Sequence, residues 1–176
     1  MPLTLVLGGA RSGKSAHAQG AAEAAARAAG VTPVMVATGQ AFDAEMAERI
    51  ARHQADRADR WRTIEAPLAL ADVVDGLAQH EVVVVDCLTL WLSNLMLGNR
   101  DVAAARDALL AALARTSARL WLVSNEVGFG IVPETPLGRR FRDEAGHLHQ
   151  AIAAQADEVM LIVAGLPLRL KPIASP

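Results

Sequence analysis

Residues 8–15 read Gly8-Gly9-Ala10-Arg11-Ser12-Gly13-Lys14-Ser15, and this stretch decides the fold. It matches the pattern G-x-x-x-x-G-K-S without a gap. The apolar run at residues 3–7 precedes it and an alanine-rich segment follows it, so it lies between a predicted strand and a predicted helix. Glycines let the backbone wrap around phosphate, and the N–H groups at a helix start point inward. The stretch therefore predicts a phosphate-binding loop and a nucleoside triphosphate ligand.

Three side chains of this loop have predicted roles. Lys14 would place a positive charge at the β and γ oxygens, and Ser15 would offer its hydroxyl to Mg²⁺. Arg11 would either contact phosphate or face solvent. The alternative interpretation of the whole stretch is a glycine turn with an incidental lysine.

Short apolar runs alternate with longer helical patterns along the chain. Strands are predicted at residues 3–7, 33–37, 82–85, 119–123 and 158–163, with a possible edge strand at 166–171. Helices are predicted at residues 14–29, 43–59, 68–79, 89–97, 102–114 and 138–156. Strands that are apolar on both faces and separated by helices indicate a parallel sheet covered on both sides. We therefore expect one α/β domain of the P-loop NTPase type spanning residues 1–176.

The composition argues against several classes of protein. The 176 residues carry a net charge of −2 and only 3% aromatic side chains, which disfavours a nucleic-acid partner. No apolar run approaches the roughly 20 residues that a membrane span requires. A single cysteine and the lack of a visible signal peptide favour the cytoplasm.

Asp86 follows the four valines at residues 82–85. An acid directly after a buried strand is typical of the second magnesium-binding position in phosphate-loop proteins. The alternative is a cap for the helix that begins near Leu88. The neighbouring Cys87 is interpreted as a packed small residue rather than a nucleophile.

Two connections follow predicted strands, at residues 38–43 and 124–137. Open parallel sheets bind their ligands at the carboxyl ends of strands, so both connections are candidate ligand-binding segments. The second is unusually long for a segment without secondary structure, which favours a functional role.

The segment after residue 43 contains an unusual histidine. On a helix, Met46, Ile50 and His53 would share one face. The alternative, structural interpretation of His53 is a core histidine that is hydrogen-bonded to a carbonyl. Its surroundings are rich in arginine, which suits a polyphosphate but equally a solvated helical face. These arginines are Arg49, Arg52, Arg57, Arg60 and Arg62.

Besides the phosphate loop, further motifs follow one another along nearly the whole chain. They are Ala37-Thr38-Gly39-Gln40, Glu45-Met46, Arg49-Ile50-x-x-His53, Trp61-Arg62-Thr63-x-Glu65, Asn125-Glu126-Val127-Gly128, Gly130-Ile131-Val132-Pro133-Glu134, Gly138-Arg139-x-Phe141-Arg142-Asp143-x-x-Gly146, Gln150 and Ala156-Asp157-x-Val159. Together and in this order, these motifs resemble a known family, the bifunctional adenosylcobinamide kinase/adenosylcobinamide-phosphate guanylyltransferases of cobalamin biosynthesis.

The resemblance implies two reactions. The family phosphorylates the aminopropanol hydroxyl of adenosylcobinamide and then transfers GMP from GTP to that phosphate, through a covalent guanylyl-histidine whose position matches His53. Lys14 would act in catalysis, Ser15 and Asp86 would hold Mg²⁺, and GTP and ATP would be substrates. The nucleotide site would comprise Gly8, Gly9, Ala10, Arg11, Ser12, Gly13, Lys14, Ser15, Thr38, Gly39, Gln40, Arg52, Glu65 and Asp86. Glu65 would contact the guanine edge, contact the ribose or have a structural role.

The same resemblance implies a homotrimer with sites between subunits. One departure is visible, because His149 stands where the family leads us to expect asparagine. The base that activates the substrate hydroxyl stays open among Asp43, Glu45, Glu126 and Glu134. The alternative functions are a simple phosphate-loop kinase for another small metabolite, which gives His53 no role, and a nucleotide-dependent switch or assembly protein.

Overall fold

The computed structural model describes residues 2–40 and 60–172. Over these residues the chain forms a seven-stranded sheet in the order β3-β2-β4-β5-β1-β6-β7. The strands are β1 (Leu3–Gly8), β2 (Val34–Ala37), β3 (Arg62–Glu65), β4 (Val82–Asp86), β5 (Arg119–Asn125), β6 (Glu158–Val163) and β7 (Leu166–Lys171). Each neighbouring pair is parallel except β6 and β7, which are antiparallel. The predicted α/β fold with a mostly parallel sheet is confirmed.

Helices cover both faces of this sheet. They are α1 (Lys14–Ala29), α2 (Leu70–Asp75), α3 (Leu88–Leu97), α4 (Val102–Arg115) and α5 (Pro136–Gln155). On one face, α1 packs through Ala18, Ala22 and Ala26, which are buried at a spacing of four residues. Side chains this small bring the helix close to the sheet. The other face is covered by the remaining helices, which bury Leu70, Trp91, Leu109 and Ile152.

Helix ends follow the local sequence. Gly30 ends α1 in a left-handed conformation, with its N–H bonded to the carbonyls of Ala26 and Arg27. Asp101 caps α4 by accepting a hydrogen bond from the Ala104 N–H. Thr135 does the same for α5 through the Gly138 N–H, and Pro136 occupies the first turn.

The structure corrects the predicted elements in two places. The strand β3 was missed because its residues are mostly polar and exposed, as suits an edge strand that packs on one side only. The helix predicted at residues 68–79 extends only over Leu70–Asp75. The predicted edge strand at residues 166–171 is confirmed, and Ala164 and Gly165 form the tight turn before it with φ of 51° and 80°. The helix predicted at 43–59 lies outside the described residues.

Among the described residues, no helix combines the length and the apolar character needed to cross a membrane.

Candidate active site

The phosphate loop occupies the predicted place between β1 and α1. Strand β1 pairs with β5 on one side and β6 on the other, so the loop follows a central strand of the sheet. Gly13 precedes α1 with a φ of +92°, a conformation that glycine adopts without strain. The Ser12 N–H donates to the Gly9 carbonyl at 3.3 Å, and the His17 N–H donates to the Gly13 carbonyl at 2.9 Å. The loop is therefore a defined turn at the start of a helix, where backbone N–H groups bind anions.

Gly8 is required by close packing beneath the loop. A Cβ at this position would lie 2.4 Å from the Ser12 Oγ and 2.7 Å from the Ile162 carbonyl oxygen. The turn between β6 and β7 supports the loop from the same side, because the Gly165 N–H donates to the Ser12 carbonyl at 2.8 Å. The loop is thus fixed by its own backbone and by the neighbouring hairpin.

Lys14 lies over this loop rather than in solvent. Its side chain is buried, with 8% exposure, and its Nζ donates to the Gly9 carbonyl at 3.0 Å. An ammonium group has three donors, so two remain for phosphate oxygens. The Ser12 Oγ is buried and has no hydrogen-bond partner among the described residues. Lys14 therefore suits a phosphate placed in the loop, whereas Arg11 is exposed on its rim.

Asp86 ends β4 at the same edge of the sheet. It pairs in register with Ala37 of β2 and Val123 of β5, and it is half-buried. Within residues 2–40 and 60–172, no hydrogen bond or ion pair engages its carboxylate. The position before α3 belongs to Cys87, and no side chain of the described segments caps that helix. The alternative interpretation of Asp86 as a helix cap is therefore wrong.

Cys87 is buried beside Asp86. Burial raises the pKa of its thiol, and the Asp86 charge raises that pKa further. The thiol is therefore protonated near neutral pH, which agrees with a packing role.

The segment after β2 is held by side chains from distant parts of the chain. We call residues 38–40 the Thr38 turn. The Thr38 Oγ1 donates to the Cys87 carbonyl at 2.7 Å and accepts from the Cys87 N–H at 2.8 Å. The Asn94 Nδ2 donates to the Thr38 carbonyl at 2.8 Å and to the Pro67 carbonyl at 2.9 Å. Gly39 and Gln40 follow, half-buried.

Glu65 lies near this turn. It ends β3 and pairs in register with Ala37, the residue before Thr38. Its side chain is exposed. The structure thus brings Thr38, Glu65 and Asp86 to one edge of the sheet with the phosphate loop.

Three residues that contribute to this edge were missed by the sequence analysis: Thr89, Asn94 and Ser124. Each is buried and polar, with exposure of 5% or less. Thr89 accepts a hydrogen bond from the Asn125 Nδ2 at 2.9 Å. The contacts that join Asn94 to Thr38, Ser124 to His149 and Thr89 to Asn125 span 25 to 56 residues of the chain, so no local pattern marked these residues. The one available signal was that these polar residues interrupt otherwise apolar stretches.

His149, the departure from the family pattern, contacts Ser124. Its Nε2 lies 2.7 Å from the Ser124 Oγ. Burial lowers the pKa of His149, while the charge of Glu126 acts in the opposite direction. His147 is exposed, so the two histidines face different sides of α5, as their spacing predicts.

The long connection starts after Asn125 and ends at Thr135, since β5 and α5 are longer than predicted. Its first residue is tied to the phosphate loop, because the Glu126 N–H donates to the Gly8 carbonyl at 3.0 Å. The Glu126 carboxylate accepts from the Gly128 and Phe129 N–H groups at 2.7 and 3.1 Å. Further along, Phe129 and Ile131 are exposed.

His53, the predicted nucleophile, lies outside the described residues. Arg49, Arg52, Asp43 and Glu45 lie outside them too. Their roles stay predictions.

Comparison with known proteins identifies the family. The model of the family described as "Cobinamide kinase / cobinamide phosphate guanyltransferase" matches residues 4–170. The chain belongs to this family. The matched range contains the phosphate loop, the Thr38 turn, Glu65 and Asp86, so the site described above lies within the matched residues.

Three curated relatives agree with this assignment. The bifunctional adenosylcobalamin biosynthesis protein CobP of Pseudomonas aeruginosa is 49% identical over 170 residues, covering 95% of this chain and 96% of that protein. Proteins named bifunctional adenosylcobalamin biosynthesis protein CobU are similar too. The one from Escherichia coli is 38% identical and the one from Salmonella typhimurium 40%, each alignment covering 96% of this chain and 99% of the relative.

Proposed function

We propose that this chain phosphorylates adenosylcobinamide and then transfers GMP from GTP to adenosylcobinamide phosphate, giving adenosylcobinamide-GDP in cobalamin biosynthesis. The observation that carries the proposal is the family match over residues 4–170. The geometry of the phosphate loop supports it, because a buried lysine and helix-start N–H groups converge there.

The phosphate loop, together with Lys14, would bind the triphosphate in both reactions. In the kinase step the substrate hydroxyl attacks the γ-phosphorus, and a nucleoside diphosphate leaves. In guanylyl transfer a nucleophile attacks the α-phosphorus, and pyrophosphate leaves. Lys14 and the loop N–H groups would stabilise the charge that develops on the leaving oxygens in both cases.

We assign the nucleophile of the second reaction to His53. A neutral imidazole is nucleophilic near neutral pH, and the phosphoramidate that it forms is reactive enough to pass GMP to the substrate phosphate. The assignment rests on the sequence resemblance, because His53 and the neighbouring Arg52 are outside the described residues.

The rest of the nucleotide would extend from the phosphate loop towards the Thr38 turn. Thr38, Gly39 and Gln40 follow β2, and Glu65 ends the adjacent strand. The Glu65 carboxylate is exposed and could accept hydrogen bonds from the guanine N1–H and N2–H₂ groups. Adenine lacks this pair of donors, so Glu65 would favour GTP in the transfer step.

The donor set at the sheet edge fits Mg²⁺. Ser15 lies in the first turn of α1, and Asp86 offers a carboxylate that no described residue engages. Oxygen donors of this kind, together with substrate phosphates, are the ligands that Mg²⁺ prefers. The ion would supply positive charge to the phosphate oxygens when bound.

Four further points belong to the proposal. The chain would act as a single domain over residues 1–176, in the cytoplasm and as a homotrimer with sites between subunits. Either ATP or GTP would donate the γ-phosphoryl group.

Covalent labelling tests the proposed nucleophile. The protein is incubated with Mg²⁺ and GTP labelled at the α-phosphate, then separated under denaturing conditions. We expect an acid-labile label on the wild-type protein and on His80→Asn, which changes an exposed histidine. His53→Asn should carry no label. Label retained in His53→Asn would remove His53 from this role, and an unlabelled wild type would favour a simple kinase.

A second experiment tests whether both reactions use the phosphate loop. Lys14→Ala should impair both phosphorylation and guanylyl transfer, because both leaving groups would depart from the same loop. Lys171→Ala, which removes a lysine at the end of β7, serves as the control. Unimpaired guanylyl transfer in Lys14→Ala would refute shared use.

A further inference from the structure

Asn125 lies at the carboxyl edge of the sheet, where the phosphate loop and Asp86 also lie. It ends β5, the strand that separates the phosphate-loop strand β1 from the Asp86 strand β4. In register, Asn125 pairs with Gly8, the first residue of the phosphate loop, and Val123 of the same strand pairs with Asp86. A triphosphate held by the loop would therefore lie beside the end of β5.

The Asn125 carboxamide is held in place by a buried threonine. Its Nδ2 donates to the Thr89 Oγ1 at 2.9 Å, and its backbone N–H points to the same oxygen at 3.4 Å. That hydroxyl also lies 3.1 Å from the Cys87 Sγ, and Cys87 is bonded to Thr38. These contacts link the Thr38 turn to Asn125 through buried polar groups.

The remaining hydrogen-bonding groups of Asn125 suit the kinase reaction. A carboxamide has two N–H donors and an acceptor oxygen, and Thr89 engages one donor. The second N–H can bind a phosphate oxygen while the Oδ1 accepts from a hydroxyl. A neutral group with both functions brings a hydroxyl and a phosphate together without adding negative charge.

We propose that Asn125 is a catalytic residue of the kinase step, which orients the substrate hydroxyl against the γ-phosphate, and that Thr89 positions it. This rests on the proposed function. The hydroxyl oxygen forms a bond to the γ-phosphorus while the bond from that phosphorus to the β–γ bridging oxygen breaks. The electron pair leaves on the nucleoside diphosphate, and the hydroxyl proton passes through a phosphoryl oxygen to solvent. Asn125 itself neither gains nor loses a proton.

The test separates the two reactions, because only the kinase step uses the γ-phosphorus and the hydroxyl. Phosphorylation of adenosylcobinamide and covalent labelling from α-labelled GTP are both measured on Asn125→Ala and on the isosteric Asn125→Asp. We expect kcat of phosphorylation to fall about 10²-fold in both variants, the scale expected for a misplaced reacting group. Labelling in Asn125→Ala should fall clearly less than phosphorylation, because only phosphorylation also loses the orientation of the hydroxyl.

Thr89 variants test the positioning role. Thr89→Val keeps the shape but lacks the hydroxyl, and should lower kcat about tenfold with little change in KM for the nucleotide. Thr89→Ser should restore kcat, which a purely structural loss would not predict.

Three outcomes would overturn either the role of Asn125 or the proposed function. Unchanged phosphorylation in Asn125→Ala would overturn the role of Asn125. Equal losses of phosphorylation and labelling in that variant would overturn it too, because they would indicate a nucleotide-binding or folding defect. A wild-type protein that does not phosphorylate adenosylcobinamide would instead overturn the proposed function.

Discussion

The phosphate loop and the Thr38 turn lie at the same edge of the sheet, but different kinds of contact hold them. Within the loop, Lys14 reaches a carbonyl only five residues away. The Thr38 turn depends on side-chain bonds to Cys87 and Asn94, which are 49 and 56 residues away. Eight consecutive residues therefore supply the loop's own bonds, to which Gly165 and Glu126 add backbone contacts, whereas the Thr38 turn takes shape only when β2, β4 and α3 come together.

The comparison also shows where each region is sensitive to mutation. The loop is limited by space, since the Gly8 position has no room for a Cβ. The Thr38 turn is limited by hydrogen bonding, since its hydroxyl satisfies both backbone groups of buried Cys87. A methyl group should disrupt the first region, and removal of one hydroxyl should disrupt the second.

The largest effect is expected for Gly8→Ala. The new Cβ would collide with the Ser12 side chain and with the Ile162 carbonyl, and the latter belongs to the sheet and cannot easily move. We expect a loss of about 3 kcal/mol in the free energy of unfolding, at the upper end of typical overpacking costs. Urea denaturation measures it.

Gly9→Ala is the matched control, because a Cβ there would meet no atom of the described residues within 4 Å. Its free energy of unfolding should stay within about 0.5 kcal/mol of the wild type. Equal destabilisation by the two substitutions would show that the space beneath Gly8 does not limit the loop.

The same contrast explains which features the sequence predicted. The phosphate loop, β1 and α1 were predicted because a contiguous motif and its flanking residues carry the information. The strand β3 was missed because Arg62, Thr63 and Glu65 are polar, and only pairing with β2 makes them a strand. The contact of His149 with Ser124 could not be predicted, since it depends on how α5 packs against β5.

A smaller effect is expected for Thr38→Val. The substitution keeps the side-chain shape but leaves the buried Cys87 N–H without its partner, while the Cys87 carbonyl keeps its bond from the Trp91 N–H. Unsatisfied buried groups of this kind cost about 1–3 kcal/mol, so we expect a loss of about 2 kcal/mol by urea denaturation. Thr38→Ser keeps the hydroxyl and should lose about 1 kcal/mol or less, the contribution of a methyl group. If serine were as destabilising as valine, packing rather than hydrogen bonding would hold the turn.

The smallest effect is expected from His149, and it appears as a pH dependence. Burial holds the pKa of His149 below its ordinary value of about 6.5, so the folded protein binds this proton less readily than the unfolded chain does. Its contribution to stability is therefore complete above about pH 6.5 and decreases as the pH falls towards the lower, folded-state pKa. We expect wild-type protein to lose more stability between pH 8 and pH 5.5 than His149→Asn does. His147→Asn, which changes the exposed neighbour, should follow the wild type. Identical pH profiles for His149→Asn and the wild type would mean that His149 is protonated as easily in the folded protein as in the unfolded chain.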